Sequence, residues 1–189
     1  MAYVPRTSIY IPDDMHTNPV YNQWNIYDQI GWGIWSNNGN CTAYSWGRFW
    51  EPANPTSATD NPPTLSPYYA NTWWEYNDGY NRGAIPKLGA VACWYDNAAP
   101  TDGGHVAIVE KLYDDGSYDI SESGLHAFIF QYTHITNNYY GPTYDFKGFI
   151  YNPNADPTPG GNMKKWLMMA GRTKDNDLGR YRRYTRRIQ

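Results

Sequence analysis

Cysteine, charged residues and long hydrophobic runs are all scarce in this chain, and each shortage excludes a class of protein. Two cysteines among 189 residues cannot make the disulfide framework of a small secreted fold, so we expect two free thiols. Charged residues make up 17% of the chain, too few for a coiled coil or a charge-driven disordered protein. No apolar run approaches the ~18 residues that a transmembrane helix needs.

Signals for secretion and for metal binding are also missing. The first residues, MAYVPRTSIYIPDDMHTN, contain no basic segment followed by an apolar stretch, so the sequence predicts no cleavable secretory signal. Neither C-x-x-C nor H-E-x-x-H spacing occurs. We therefore expect no metal site and no organic cofactor.

Aromatic residues, by contrast, are abundant, with 19 Tyr, 9 Trp and 5 Phe in a chain whose length suits one domain. These rings supply ample apolar area for a single packed core. They also leave flat surfaces for binding, because Tyr and Trp combine an apolar body with a polar edge. The composition predicts one domain with an aromatic-rich binding surface.

Charge divides the chain into an acidic body and a basic tail. Residues 164–189 carry nine Lys or Arg against two Asp, a net charge of +7. Residues 1–163 carry six basic against sixteen acidic residues, a net charge of −10. The Pro- and Gly-rich segment 152–162 has the composition of a linker. We therefore predict a domain over residues 1–151, a linker over 152–162 and a basic tail over 163–189.

Hydrophobic patterning predicts helices in the first half of the body and strands in the second. The segment 41–50 has helical spacing with Asn38 or Asn40 available as a cap, and 68–78 is a second helical candidate. The Pro-rich segment 51–67 between them is predicted to be a long surface loop. Runs of β-branched and aromatic residues predict strands at Val91–Tyr95, Val106–Leu112, Tyr118–Ser121, Phe128–Thr133 and Phe146–Tyr151. Helices followed by an antiparallel meander make an α+β fold.

Cys41 and His105 have the local settings that a thiol nucleophile and its base require. Cys41 begins the first predicted helix, where the helix dipole and unpaired N–H groups favour a thiolate. His105 follows two glycines at the start of a predicted strand, which leaves the imidazole at the exposed end of that strand. We expect the Asp114–Gly116 turn to fold the next strand back beside it and to bring Glu122 towards the imidazole as an orienting carboxylate.

Five segments in this order resemble the CHAP family, the cysteine, histidine-dependent amidohydrolases/peptidases. They are Asn40–Arg48 (NCTAYSWGR), Leu88–Trp94 (LGAVACW), Gly104–Glu110 (GHVAIVE), Tyr118–Glu122 (YDISE) and Gly148–Tyr151 (GFIY). The resemblance, which covers residues 20–151, implies a papain-like α+β fold with N-terminal helices packed on an antiparallel sheet. It also implies hydrolysis of peptidoglycan, the polymer of the bacterial cell wall, with Cys41 as nucleophile, His105 as general base and Glu122 orienting the imidazole.

The chain departs from the family pattern at three places. Many members have Asn two residues beyond the Glu, where it can contact the His. Here that position is Gly124, and we expect the backbone or Ser123 to supply the contact. Asn40 replaces the Gln that commonly precedes the Cys. Some members carry an Asp-rich calcium loop, but residues 25–40 contain only Asp28, so we expect no calcium.

Substrate contacts are expected near the nucleophile. The candidates are Asn40, Tyr44 and Trp94, followed by Tyr68, Tyr69, Trp73 and Trp74. Trp94 is favoured because its strand lies next to the His105 strand in the expected fold, although most Trp and Tyr side chains are core or half-buried. Cys93 lies in an alternating strand pattern and is predicted to be core. The other histidines, His16, His126 and His134, have no partner motif.

The expected activity is that of a phage lysin-like peptidoglycan hydrolase, more specifically an endopeptidase that cuts the stem or cross-bridge peptide. An N-acetylmuramoyl-L-alanine amidase is the alternative, since both cleave amides by the same chemistry. An inactive wall-binding or virion structural protein is the non-enzyme alternative, and an intracellular cysteine protease is a third class. We expect the protein to be made in the host cytoplasm and to act on the wall after release or within a virion.

For the basic tail, the expected partners are anionic wall polymers or a membrane surface, which attract clustered Lys and Arg. A solvated end that folds back on the acidic body is the alternative. Nucleic acid is less favoured, although Arg alternates with Tyr over residues 180–187. The stretch Met163–Ala170 has the pattern of a short amphipathic helix, which suits docking to a membrane or a partner.

Overall fold

Six strands and one buried helix organise the part of the chain that a computed structural model describes, residues 3–8, 24–53 and 62–155. The helices are α1 (Ile26–Gln29) and α2 (Cys41–Trp50), with 3-10 turns at Glu51–Ala53 and Ala70–Thr72. The strands are β1 (Arg82–Gly83), β2 (Val91–Asp96), β3 (His105–Leu112), β4 (Tyr118–Gly124), β5 (Phe128–Ile135) and β6 (Tyr144–Ile150). Their order is β1-β6-β2-β3-β4-β5, and neighbouring strands are antiparallel. In these ranges no helix is long and apolar enough to cross a membrane.

This architecture confirms the predicted α+β fold. Helix α2 has the predicted bounds, and each of the five predicted strands is present with ends that differ by at most three residues. The short strand β1 was not predicted. The linker from residue 156 onwards and the basic tail lie outside the described residues, so the domain boundaries stay predictions.

The second predicted helix, over 68–78, is wrong, because only a 3-10 turn forms there, at Ala70–Thr72. Arg82 explains the difference. Its guanidinium donates to three main-chain carbonyls within this segment, those of Trp73, Trp74 and Tyr76, at 3.3, 3.0 and 2.6 Å. It also forms an ion pair with Asp78 at 2.8 Å. Because Arg82 supplies hydrogen-bond donors to these carbonyls, they do not need the N–H groups of an α-helix, and the chain can form a turn there.

The two faces of the sheet carry separate apolar clusters. Helix α2 packs on one face with all ten of its residues buried, and the rings of Trp46 and Trp50 meet edge to face with centroids 5.3 Å apart. The opposite face carries a second cluster around Trp94, Tyr118 and Phe149. Each large aromatic side chain buries roughly 150–250 Å². Apolar burial therefore holds α2 firmly against the sheet.

A buried ion pair fixes the position of α2 along the sheet. Arg48 Nε donates to Glu110 Oε1 at 2.9 Å, and Ser121 Oγ donates to the same oxygen at 2.6 Å. The hydroxyl of Tyr3 donates to Glu110 Oε2 at 2.7 Å. Removing one partner of such a pair leaves an uncompensated buried charge, at a cost of roughly 3–5 kcal/mol. The pair joins α2, β3 and β4, the elements that carry the three predicted catalytic residues.

Candidate active site

Cys41 is the first residue of α2, as predicted, and Asn40 caps this helix. Asn40 Oδ1 accepts from the backbone N–H groups of Thr42 and Ala43 at 2.9 and 3.2 Å, and Asn40 Nδ2 donates to the Trp32 carbonyl at 2.8 Å. The cap thus takes two first-turn N–H groups and does not use that of Cys41. The thiol lies at the positive end of the helix dipole, beside this backbone donor.

His105 begins β3 directly after a left-handed glycine. Gly104 has a φ of +88°, and a Cβ at this position would lie 2.5 Å from the backbone N of Asn71, so only glycine fits. His105 Nε2 lies 2.6 Å from Glu122 Oε2 on the neighbouring strand β4, and both side chains are buried. The structure therefore brings the imidazole and the carboxylate together as the sequence predicts.

Opposing effects set the protonation of the His105–Glu122 pair. Burial lowers the pKa of His105, but hydrogen bonds to Cys41 and Glu122 and the charges of both outweigh it and raise this pKa to about 9. Burial raises the pKa of Glu122, but the hydrogen bond and charge of His105 and hydrogen bonds from Thr133 and Tyr140 bring it below its usual value. The pair is therefore an imidazolium beside a carboxylate at neutral pH. Because Nε2 bonds to Glu122, Nδ1 is the nitrogen left for Cys41.

Two further side chains surround Glu122, and sequence reasoning missed both. The Thr133 hydroxyl on β5 donates to Glu122 Oε1, and the Tyr140 hydroxyl donates to Oε2 at 2.8 Å. The Tyr140 ring also stacks on the His105 imidazole, with centroids 4.3 Å apart and 10° between the planes. In the sequence, Tyr140 belongs to a Tyr-Gly-Pro turn signal and Thr133 ends a predicted strand, so neither pattern indicates a place beside the imidazole.

A groove with a volume of about 300 Å³ opens beside Cys41. Its walls include the exposed side chains of Ile30, Trp32, Tyr68, Tyr69 and Leu125. The rings of Trp32 and Tyr69 meet edge to face with centroids 6.4 Å apart. Asp102 is the one charged residue among the described residues that line the groove. The groove therefore offers apolar rings and a single carboxylate next to the thiol.

Only some of the predicted substrate residues lie in this groove. Asn40, Tyr68 and Tyr69 line it. Tyr44, by contrast, is fully buried, because the helix turns this side chain onto the sheet, where its ring meets Phe130 with centroids 6.1 Å apart. The placement of Tyr44 therefore corrects the expectation that it contacts substrate. Trp73 is also fully buried, and Trp74 packs half-buried against the core.

Trp94 lies behind the imidazole rather than in the groove. It is buried, and its ring centroid is 6.0 Å from that of His105 and 5.1 Å from that of Tyr140. Its indole N–H donates to the Asn138 carbonyl at 2.8 Å. The neighbouring strands β2 and β3 do bring Trp94 beside His105, as expected, but its ring supports the site from the core instead of facing substrate.

The Phe128 ring fills the position two residues beyond the carboxylate. A Cβ on Gly124 would lie 2.6 Å from this ring, so an Asn at this place requires the Phe128 side chain to move. Ser123, expected as one possible contact to the imidazole, instead accepts from the Asn40 N–H at 2.9 Å and donates to the Phe128 carbonyl at 3.0 Å. The expectation for Ser123 is wrong, since its hydroxyl ties the start of α2 to the β4–β5 turn.

Other titratable groups lie apart from this site. Cys93 is a buried free thiol in the core, as predicted, and burial raises its pKa. Such a thiol is unreactive because it has little thiolate character. His134 pairs with Asp119 at 2.7 Å, a contact with no motif in the sequence. Over residues 3–8, 24–53 and 62–155, no three His, Cys, Asp or Glu side chains are arranged to hold a metal ion.

The chain also matches a known protein family. The family model of the CHAP domain matches residues 29–124, just over half of the 189 residues. The chain belongs to the CHAP family. The CHAP match contains Cys41, His105 and Glu122, whereas Thr133 and Tyr140 lie beyond its end. The resemblance that the sequence motifs indicate is thereby confirmed.

Among solved structures, this CHAP chain is similar to N-acetylmuramoyl-L-alanine amidase from Staphylococcus aureus, with 30% sequence identity and a TM-score of 0.37. The similarity covers 52% of this chain and 27% of that chain, so this chain spans about a quarter of the length of the amidase. No curated protein matches the chain.

Proposed function

We propose that this chain is a peptidoglycan hydrolase that cleaves an amide bond by a Cys-His-Glu mechanism. Family membership supports the reaction class, since CHAP domains are cysteine, histidine-dependent amidohydrolases or peptidases. The observation that carries the proposal is the line of contacts from Cys41 through His105 to Glu122, beside an open groove. Acyl transfer through cysteine needs a thiol, a base and a group that orients the base, in this order.

The reaction begins from the state in which His105 already holds the proton of the Cys41 thiol as an imidazolium, and the thiolate attacks the amide carbonyl carbon. The carbonyl oxygen becomes an oxyanion, which the backbone N–H of Cys41 at the start of α2 stabilises. The imidazolium then protonates the leaving nitrogen while the C–N bond breaks, and a thioester remains on Cys41. Water, deprotonated by His105, hydrolyses this thioester, releases the carboxylic acid and restores the thiol.

Glu122 acts through the imidazole and not on substrate. Its carboxylate accepts from His105 Nε2, so the other ring nitrogen points to Cys41. Its negative charge stabilises the imidazolium form of His105. Because the carboxylate is buried and bonded at both oxygens, this orientation is well defined.

For the bond that is cut, we propose the peptide stem or cross-bridge, which makes the enzyme an endopeptidase. The aromatic walls of the groove suit the apolar and main-chain parts of a peptide. The carboxylate of Asp102 would pair with an ammonium group, which stem peptides with a diamino acid carry and an N-acetylated glycan lacks. Cleavage between the glycan and L-alanine, the amidase reaction, is the alternative because it uses the same chemistry.

For the cellular setting, we propose a phage-type lysin that is made in the host cytoplasm and acts on the wall after release or within a virion. We also propose that the basic tail attaches the enzyme to anionic wall polymers or to a membrane surface. The net charge of +7 over residues 164–189 supports this second proposal, because clustered cations attract anionic surfaces. Both proposals rest on the sequence.

Digestion of purified cell walls by the wild type and by a Cys41→Ala variant tests the activity. We expect the variant to lose wall hydrolysis while keeping its circular dichroism spectrum, because the thiol is the nucleophile. A Cys93→Ala variant is the matched control, since it removes the other free thiol from the core without touching the groove. Residual hydrolysis by Cys41→Ala at the wild-type rate would refute the mechanism.

Mass spectrometry of the released fragments identifies the bond. New N-termini within the stem or bridge support the endopeptidase. Whole stem peptides with a new amine on L-alanine would show that the enzyme is an amidase and not an endopeptidase. If walls of several cross-link chemistries release no fragments that depend on Cys41, the chain is a binding or structural protein and the proposed activity fails.

A further inference from the structure

Tyr140 contacts both members of the His105–Glu122 pair, although nothing in the mechanism above uses it. Its ring lies parallel to the imidazole, with 10° between the planes and centroids 4.3 Å apart. Its hydroxyl donates to Glu122 Oε2 at 2.8 Å, the same oxygen that lies 2.6 Å from His105 Nε2. One side chain therefore covers the face of the base and bonds to the carboxylate that orients it.

The loop between β5 and β6 holds the Tyr140 ring in place before any substrate binds. Asn138, two residues earlier, accepts at its carbonyl from the Trp94 indole at 2.8 Å and at its side chain from the Tyr118 hydroxyl at 3.1 Å. On the other side, the Tyr144 ring meets Tyr140 edge to face with centroids 5.1 Å apart. The loop is thus anchored to the sheet at the residues next to Tyr140 in space and in sequence.

This placement restricts the imidazole in two ways. A parallel ring at van der Waals distance blocks rotation of the imidazole about its Cβ–Cγ bond, which would take Nδ1 away from Cys41. A tyrosine face also attracts a cationic imidazolium. The hydroxyl adds a charge-assisted hydrogen bond to the buried carboxylate, which would otherwise depend on His105 and Thr133 alone.

We propose that Tyr140 is a positioning residue, which holds the His105–Glu122 pair in the orientation that presents the imidazole to Cys41 and shields their hydrogen bond from water. The proposal rests on the proposed function only for its effect on wall hydrolysis. The orientation of the pair and the reactivity of the thiol can be measured without substrate.

Two variants separate the contributions of the hydroxyl and the ring. Tyr140→Phe removes the hydrogen bond to Glu122 and keeps the stacked ring, and Tyr140→Leu removes both. We expect kcat for wall hydrolysis to fall about tenfold in the first and about a hundredfold in the second, since a hydrogen bond to a charged group contributes roughly one to two orders of magnitude. KM should stay within twofold, because Tyr140 is outside the groove lining. Tyr139→Phe, at the exposed neighbouring position, is the matched control.

The substrate-free readouts are the Nε2–H proton of His105 in the NMR spectrum and the rate at which iodoacetamide alkylates Cys41. A strong imidazole–carboxylate hydrogen bond shifts the proton resonance downfield. The resonance is assigned to His105 Nε2–H if it is absent from the spectrum of Glu122→Gln. We expect this proton to exchange faster with water in Tyr140→Phe and to disappear in Tyr140→Leu. Alkylation at neutral pH should slow in the same order, because a misoriented imidazole no longer stabilises the thiolate.

A purely structural role predicts a different pattern, namely a lower melting temperature with an unchanged proton signal and alkylation rate in the folded protein, and this would overturn the proposal. Wild-type values in both Tyr140 variants would also overturn it. If Tyr140→Leu does not fold, Tyr140→Phe decides, since it conserves the ring. If wild-type protein releases nothing from walls while the proton and the alkylation still respond to Tyr140, the proposed function fails and this inference stands.

Discussion

The same arrangement of a histidine, a carboxylate on β4 and a tyrosine hydroxyl occurs twice in this chain. The inner trio consists of His105, Glu122 and Tyr140, and the outer trio consists of His134, Asp119 and Tyr113. The distances from the imidazole to the carboxylate are 2.6 Å in the inner trio and 2.7 Å in the outer trio. The distances from the tyrosine hydroxyl to the carboxylate are 2.8 Å and 2.7 Å. By hydrogen bonding alone, the two trios are nearly equivalent.

Exposure and orientation distinguish them. The histidine side chain is 6% exposed in the inner trio and 52% exposed in the outer trio. His105 bonds to its carboxylate through Nε2, whereas His134 uses Nδ1. The tyrosine ring lies parallel to the imidazole in the inner trio, at 10°, and edge-on in the outer trio, at 76°. The inner histidine, His105, interacts with the Cys41 thiol.

This contrast indicates that a histidine–carboxylate pair by itself is only a structural element. In the outer trio, water competes for the exposed imidazole, and an exposed pair contributes at most about 1 kcal/mol to stability. In the inner trio, burial strengthens each electrostatic contact and the helix N-terminus brings a thiol to the free ring nitrogen. On the proposed function, reactivity comes from what surrounds the pair, and substitutions matched between the trios can test this.

The largest expected difference is between removal of the two histidines. His105→Ala should lower wall hydrolysis by about 10³-fold or more, because it removes the base and the acid of the proposed reaction. His134→Ala should change it less than twofold. The measurement is the rate at which new amines appear from purified walls, with circular dichroism to confirm folding. Equal losses in the two variants would show that His105 has no role that His134 lacks.

A smaller difference is expected between removal of the two carboxylate charges. Glu122→Gln should lower hydrolysis by about 10²-fold, since the neutral amide cannot stabilise the imidazolium. The amide NH2 can also donate to Nε2, which places the imidazole proton on the nitrogen that faces Cys41. Asp119→Asn should lower it less than threefold. Steady-state kinetics on a soluble wall fragment gives both values. A Glu122→Gln variant with wild-type kcat would exclude Glu122 from the mechanism.

How far sequence alone leads can be judged from these two trios. Cys41, His105 and Glu122 could be found because each stands at a local signal, respectively a helix start, a Gly-Gly strand entry and the strand that follows a tight turn. The α+β plan followed from periodicity and turn residues in the same way. The outer trio carries no such signal, since Asp119 and His134 look like ordinary alternating residues of neighbouring strands.

What the sequence could not supply are contacts that depend on strand register and on loop placement. Tyr140 meets His105 only because the β5–β6 loop folds over the sheet, and residues 35 positions apart carry no mutual pattern. Tyr44 looked like a substrate residue by its closeness to Cys41, but helical geometry turns it into the core. The predicted helix over 68–78 failed because Arg82, which lies just beyond the segment in sequence, satisfies three of its carbonyls.

The smallest expected effect is a pH dependence that belongs to the inner trio. Burial lowers the pKa of His105, but hydrogen bonds to Cys41 and Glu122 and the charges of both raise it to about 9, so the imidazolium persists through neutral pH. Above pH 9 the imidazole is neutral and cannot protonate the leaving amine. We expect kcat/KM to be level from pH 7 to 8 and to fall about tenfold per unit above pH 9. His134→Ala should keep this alkaline fall in kcat/KM, whereas Glu122→Gln should move the fall to lower pH because the stabilising charge is lost. If kcat/KM of the wild type instead fell around pH 6.5, the carboxylate and the thiol would not hold the proton on His105. The distinction between the trios would then rest on burial alone.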